Sequence, residues 1–329
     1  MLISRTPFRI SFLGGGTDFE PYFEKYGGSV LSTTIDKYCY ITLRRLPPMF
    51  EYKNQFTYSK IERFNDPDEV EHPVVREALK YLKADHLQIN YDADLPARSG
   101  LGTSSSFAVG LLNGLHYYKK ETVDKMTLAK EAIHLEHELC HEAGGMQDQL
   151  AVAFGGLNRI NFGSGGYEVR PVDISVTRKE DFHKHLMLFF TGFTHLSGEI
   201  ALDQSQNISS RLSQLNEMKV LVDEGEKILS GSGNILAFGE LLNQNWKLKR
   251  TLSGKIATDF VDNAYDSAIE AGAIGGKLLG AGGGGYMLFF VEPDKRECVK
   301  KALSNLLYEP FKFEQEGTKI FYMGETDDE

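Results

Sequence analysis

Cysteine is scarce: Cys39, Cys140 and Cys298 are the only three in 329 residues. Three scattered thiols cannot build a disulfide framework, and they fit a reducing compartment. Excess positive charge is missing too, since 36 Lys and Arg face 46 Asp and Glu for a net charge of −10. That excludes a general nucleic-acid binder, which needs a basic surface. No run approaches the roughly eighteen apolar residues of a membrane span. Met1-Leu2-Ile3-Ser4-Arg5 enters an apolar stretch without the charged start, long apolar region and cleavage site of a signal peptide. The expectation is a cytoplasmic protein with no membrane or nucleic-acid partner. The usual nucleotide loops are absent as well. Gly276-Lys277 is followed by Leu278, not by Ser or Thr as in a Walker loop, and no segment makes a convincing dinucleotide fingerprint.

Glycine is plentiful, with 33 residues, and four glycine-bearing segments stand out at 14–18, 100–106, 144–148 and 275–285. The second is the most informative. Leu95-Pro96-Ala97-Arg98-Ser99-Gly100-Leu101-Gly102-Thr103-Ser104-Ser105-Ser106 ends a polar turn in glycines and opens a helix with four hydroxyl residues. One capping residue would suffice to start an ordinary helix, as the apolar stripe Phe107, Leu111, Leu115 and Tyr118 requires. Two glycines ahead of four hydroxyls read instead as an anion cradle. Helix amino termini present unpaired N–H groups and about half a positive charge, and glycine lets the backbone approach a ligand.

At this length two domains are expected, 1–182 and 183–329, the second opening on the apolar strand at 186–191. Strands are predicted at 2–13, 29–45, 87–91 and 286–291, and helices at 104–119, 126–142 and 198–229. Mixed strands and helices without regular alternation indicate an α+β fold. The acidic tail Glu325 to Glu329 is expected to fray.

On the 126–142 helix, Ala129, Ala132, Ile133, Leu139 and Cys140 mark an inward face that also carries Glu136. A buried acid needs a partner, which is either a buried Arg or Lys, or a metal ion or substrate group. Asp148, in Gly144-Gly145-Met146-Gln147-Asp148-Gln149, suits a general base or a group orienting a hydroxyl, and equally a turn or helix-cap aspartate. His137-Glu138-Leu139-Cys140-His141 fits the H-E-x-x-H pattern of a zinc hydrolase. Against that, Gln147 stands where the longer metalloprotease form needs its third histidine, and Glu138 projects away from the apolar stripe.

In this order the motifs resemble those of the GHMP kinase family, the galactokinase, homoserine, mevalonate and phosphomevalonate kinases. Thr6-Pro7-Phe8-Arg9-Ile10-Ser11-Phe12-Leu13-Gly14-Gly15-Gly16-Thr17-Asp18 is similar to the first family motif. Pro96 to Ser106 matches the phosphate-binding second and Lys277 to Gly285 the glycine-rich third. The resemblance implies a ribosomal-protein-S5-like N-terminal domain, a ferredoxin-like C-terminal domain, and ATP and Mg2+ as cofactors. By it, Pro96, Ser99, Gly100, Leu101, Gly102, Thr103, Ser104, Ser105 and Ser106 hold the ATP phosphates, with Ser104 and Glu136 on the metal. Asp148 and Arg9 are catalytic, and Gly15, Gly16, Thr17, Asp18, Gly282 and Gly283 border the acceptor.

Galactokinases carry Glu-His where this chain has Gly15-Gly16, which puts galactose in doubt and leaves room for a larger or phosphorylated sugar. Gly-Gly-Gly-Thr-Asp and Gly-Met-Gln-Asp-Gln look most like the branch acting on D-glycero-D-manno-heptose 7-phosphate at its anomeric hydroxyl. The competing expectations are a fucokinase- or galactokinase-like enzyme acting on an unphosphorylated sugar, the zinc hydrolase, and a nucleotide-binding regulator that has kept the fold. Lys37, Arg44, Arg45 and Arg98 are the candidates for holding a substrate phosphate, and a homodimer is compatible with the sequence.

Overall fold

Two long runs rich in Val, Ile, Thr and aromatic residues begin the chain, and such residues favour pleated, half-buried strands. In the computed structural model, which describes residues 1–193 and 197–323, they form β1 (Leu2–Leu13) and β2 (Gly28–Arg45), paired antiparallel over most of their length. β3 (Asn54–Thr57), β4 (Ile61–Phe64), β5 (Leu87–Ala93), β6 (Leu157–Gly163) and β7 (Gly166–Pro171) extend this sheet. Of its pairings, β3 with β5 is parallel.

A second sheet of four strands has the order β11-β8-β10-β9, from β8 (Leu186–Phe190), β9 (Ala273–Leu278), β10 (Tyr286–Val291) and β11 (Leu307–Glu309). The chain then returns to the first sheet, where β12 (Phe313–Glu314) pairs with β2 and β13 (Lys319–Met323) with β1. The α+β expectation holds.

Alternate side chains of a strand face opposite ways, and β10 uses both faces. Tyr286, Leu288 and Phe290 enter the core under the first sheet. Met287, Phe289 and Val291 enter a second core with Trp246 and Tyr265. The second sheet is thus packed on both sides, which joins the two halves of the molecule through apolar contact.

The helix Thr103–Tyr118 lies against β1 and β2 through glycine. A Cβ at Gly110 would come within 2.7 Å of Thr6 Oγ1, and one at Gly114 within 2.7 Å of Leu43 Cδ1. This close approach fixes where the helix begins, and hence where its N–H groups point.

Two expected helices differ. The one read at 126–142 runs over Lys125–Ile133, widens into a π-helical turn at His134–Leu139 and stops at Cys140. Cys140 N–H donates five residues back to the Leu135 carbonyl (2.9 Å), and His141 has φ 56°, which no right-handed helix accommodates. The helix read at 198–229 is two, Ser197–Gln206 and Leu212–Ser230. Asn207 Nδ2 bonds the Asp203 carbonyl and Ser210 Oγ the Asn207 carbonyl, local bonds that compete with a continuous ladder. The expected fraying of Glu325 to Glu329 lies outside the described residues.

Gly110→Val should overpack the contact with β1 and lower stability by about 1–3 kcal/mol. An unchanged urea midpoint would refute the close-approach account.

Candidate active site

Three residues of the 96–103 turn take left-handed conformations: Arg98 (φ 58°), Gly100 (φ 85°) and Gly102 (φ 71°). Arg98 N–H donates to Thr103 Oγ1 (3.1 Å), closing the loop on itself. Gly102 caps the Thr103–Tyr118 helix and offers no side chain, so the amide groups of the first turn keep no partner of their own. They open onto a cleft of about 620 Å³ whose lining includes Thr103, Ser104 and Ser105.

The late glycine loop supports this turn from behind. A Cβ at Gly100 would stand 2.4 Å from the Leu279 carbonyl oxygen. One at Gly280 would meet Gly100 Cα at 2.6 Å, and one at Gly285 the Ser99 carbonyl oxygen at 2.3 Å. Tyr286 N–H donates to the same Ser99 oxygen (3.0 Å). Gly282 and Gly283 pack on Ile256, so they shape the loop from outside the cleft lining.

Arg9, on β1 and buried, ties the site together. Nε and Nη2 donate to Asp148 Oδ1 (2.7 Å) and Oδ2 (2.6 Å), and Nη1 donates to the Gly100 carbonyl (2.6 Å). A two-pronged guanidinium–carboxylate pair fixes orientation as well as charge. Asp148 sits in the first turn of the helix Gln147–Phe154, whose positive end favours a carboxylate. Its side chain keeps 21% exposure, enough to reach a ligand in the cleft.

Asp18 is fully buried beside it. Gly16 N–H donates to Oδ1 (2.7 Å) and Gln147 Nε2 to Oδ2 (2.8 Å). Burial raises its pKa, against those two hydrogen bonds. Gly145 has to be glycine here, because a Cβ would fall 1.9 Å from Asp18 Oδ2.

Glu136 faces inward at the π-helical turn. Ser105 Oγ and Gln149 Nε2 donate to its Oε2 at 2.8 and 2.6 Å. Burial, with Glu142 nearby, pushes its pKa up to about 8. The carboxylate therefore meets Ser105, while Ser104 is exposed at the cleft and makes no such contact. Thr17 spends its hydroxyl on the Gly14 and Ser29 carbonyls, and Ser106 bonds to the Pro7 and Gly102 carbonyls. Both are structural supports; Ser99 and Leu101 are buried behind the lining residues, and Pro96 is exposed outside the lining.

Of the basic candidates, Arg98 lines the cleft. Lys37 pairs with Glu309 and Arg44 with Gln88, and Arg45 is exposed. The zinc reading loses its geometry. His141 lies past the helix end in the left-handed region, so it does not share a helical face with His137, whose Nδ1 contacts the Glu142 carbonyl (2.8 Å). Among the described residues no group of three His, Cys, Asp or Glu converges as a metal site.

Sequence reasoning missed Ser11, Gln147, Gln149, Lys249 and Lys277. Lys249 is almost fully buried and donates to the Gly280 carbonyl (2.9 Å), and burial lowers its pKa. Lys277, 1% exposed, donates to the Ser11 and Phe12 carbonyls (2.8 and 3.0 Å) and joins β9 to β1. Burial depresses its pKa strongly. Lys249 had a readable signal: it follows Leu242 and Trp246 at inward helical spacing, where a charge has to be explained.

This arrangement has counterparts. Residues 73–156 match the model of the GHMP kinases N terminal domain and 226–309 that of the GHMP kinases C terminal domain, together just over half of the chain. The D-glycero-alpha-D-manno-heptose 7-phosphate kinase of Campylobacter jejuni is 29% identical, over 96% of this chain and 97% of that protein. The L-fucokinase/L-fucose-1-P guanylyltransferase of Bacteroides fragilis is 30% identical over 90% of this chain, which spans 35% of that longer protein. A crystal structure of a D-glycero-D-manno-heptose 1-phosphate kinase from Bacteroides thetaiotaomicron superposes with a TM-score of 0.80 at 24% identity, covering 99% of this chain and all of the other. With both family domains in order, and an amide-lined turn facing a clamped aspartate, the chain belongs to the GHMP kinase family and is an ATP-dependent phosphotransferase.

Proposed function

We propose that the enzyme is a sugar kinase that transfers the γ-phosphoryl group of ATP to the anomeric C1 hydroxyl of D-glycero-D-manno-heptose 7-phosphate. The product is the 1,7-bisphosphate, an intermediate suited to nucleotide-heptose and surface-polysaccharide synthesis. The observation that carries the acceptor is the near full-length similarity to the Campylobacter jejuni heptose 7-phosphate kinase. The cleft supplies the chemistry.

Phosphoryl transfer asks a protein for positioning and charge neutralisation. The free amides at Thr103, Ser104 and Ser105, at the positive end of a sixteen-residue helix, suit the triphosphate. Gly100 and Gly102 keep that surface bare of side chains. Glu136, Ser104 and Ser105 suit Mg2+: their oxygens are hard donors, and the buried, unpartnered Gln149 Oε1 lies next to them. One protein carboxylate fits a cation that draws its other ligands from phosphate and water. When bound, Mg2+ neutralises phosphate charge and so lowers the barrier to transfer.

Asp148 would take the proton of the C1 hydroxyl as the new oxygen–phosphorus bond forms and the bond to the β–γ bridging oxygen breaks, its electron pair leaving with ADP. Arg9 holds both Asp148 oxygens in a fixed orientation. Asp18 and Gln147 suit the acceptor's remaining hydroxyls. A second reading, an unphosphorylated acceptor, draws support from the similarity to the fucokinase portion of the Bacteroides fragilis protein.

An ATP-consumption screen over free and phosphorylated hexoses and heptoses separates these readings. Heptose 7-phosphate should win by kcat/KM, with phosphorus NMR placing the new ester at C1. A preference for fucose or galactose would replace the leading reading with the second. Asp148→Asn should lower kcat about 100- to 10,000-fold while ADP affinity is unchanged, and near-normal turnover would remove the aspartate from catalysis.

Glu136 gives a pH signature. Its folded pKa lies above the unfolded value, so between about pH 4.5 and about pH 8 the folded state holds the extra proton and stability falls as pH rises. Glu136→Gln should lose less melting temperature than the wild type across that window. Added Mg2+ should raise the wild-type melting temperature more at pH 8 than at pH 6. Parallel pH profiles, or an equal Mg2+ effect at both pH values, would contradict the assignment.

A further inference from the structure

The triglycine at 14–16 runs beside three polar side chains of the cleft. Gly15 has no side chain, and a Cβ added there would sit 3.6 Å from each of Gln147 Nε2, Lys249 Nζ and Ser11 Oγ. All three residues line the cleft. Their hydrogen-bonding capacity is unspent to an unusual degree for such buried groups. Ser11 Oγ and Gln147 Oε1 are buried without a partner. Lys249, 6% exposed, gives one N–H to the Gly280 carbonyl and has two left.

Among the described residues no carboxylate comes within 4.0 Å of that ammonium. The nearby acids are committed elsewhere, Asp18 to Gly16 and Gln147, and Asp148 to Arg9. Buried charges are ordinarily paired. An ammonium with two free donors and a hydroxyl with its donor free, both lining the cleft beside a residue without a side chain, suit an anionic oxygen that approaches past Gly15.

We propose that Lys249 and Ser11 bind a phosphoryl oxygen in the niche that Gly15 leaves open. The inference rests on the kinase reading of the cleft, and deepens it by naming a phosphate-recognising subsite separate from the helix Thr103–Tyr118. The oxygen belongs either to a phosphate ester already on the acceptor or to the group in transfer, for Lys249 lies within electrostatic reach of both Asp18 and Asp148. Gly15 thereby becomes a specificity position. Its backbone lies outside the left-handed region and an added Cβ has ordinary contact distances, so alanine folds there while occupying the niche.

The test uses two variants of the full chain. Lys249→Met removes the charge and keeps the length, and Gly15→Ala fills the space. Orthophosphate is titrated by calorimetry into the protein saturated with ADP and Mg2+, a measurement that needs no sugar. Both variants should bind orthophosphate about tenfold or more weakly than the wild type, with ADP affinity unchanged and folding intact. Should Lys249→Met fail to fold, Gly15→Ala carries the test.

Steady-state kinetics then separate the sources. Loss confined to KM for a phosphorylated acceptor identifies the acceptor's own ester. A fall in kcat on every acceptor, together with slower acceptor-free ATP hydrolysis, identifies the transferred group. Absence of orthophosphate binding by the wild type, or equal binding by all three proteins, overturns the proposal, as does an equal KM rise for phosphorylated and free sugars with orthophosphate affinity unchanged. Loss of orthophosphate binding in the variants of an enzyme that turns over no sugar would keep the niche and remove the sugar-kinase reading.

Discussion

The guanidinium of Arg9 is the junction on which the cleft depends. It reaches from the middle of β1 to the carbonyl of Gly100 on one side and to both oxygens of Asp148 on the other. Three segments distant in sequence are thereby held in one plane: the first strand, the glycine turn and the start of the helix Gln147–Phe154. A lysine could not do this, because a point charge lacks the planar fork. A Cβ at Gly102 would stand 3.1 Å from Arg9 Cγ and 3.4 Å from Asp148 Oδ2. The aspartate therefore lies beside the same turn whose amides face the cleft, and Arg9 bridges the two.

Around this junction the protein buries five titratable side chains: Arg9, Lys249 and Lys277 with Asp18 and Glu136. Apart from Arg9, which pairs with Asp148, these groups rest on hydrogen bonds to backbone, hydroxyl or amide groups. Lys277 rests on two carbonyls of β1, Asp18 on a backbone amide and a glutamine, and Glu136 on a serine and a glutamine. Fixed dipoles of this kind hold charge in place without cancelling it. A cleft so arranged is suited to a charged substrate.

Much of this was legible in the sequence, for reasons that differ by element. β1 is predicted to the residue because its alternation is strict and its end is marked by three glycines. That the glycine and hydroxyl turn opens onto the cleft was readable from its spacing, and Arg9, Asp18, Glu136 and Asp148 do converge there. Division of labour within the hydroxyl run was not. Whether Ser104 or Ser105 meets Glu136 depends on the helix rotation set by Gly110 and Gly114 against β1 and β2, and on a π-helical turn that no local pattern announces. Gln149 and Lys277 were hidden because their roles arise from contacts far along the chain. In the third glycine segment Gly282 packs on Ile256 and Gly283 N–H donates to its carbonyl, so both lie outside the cleft lining.

The backbone stacking of Gly100 on Gly280, and of Ser99 on Gly285, has an evolutionary consequence. One loop issues from the first sheet and the other from the second, so two walls of the cleft are encoded some 180 residues apart yet touch without any side chain between them. Neither loop can acquire a side chain at these positions unless the other retreats. A substitution in one segment therefore has to be answered by a shift in the other.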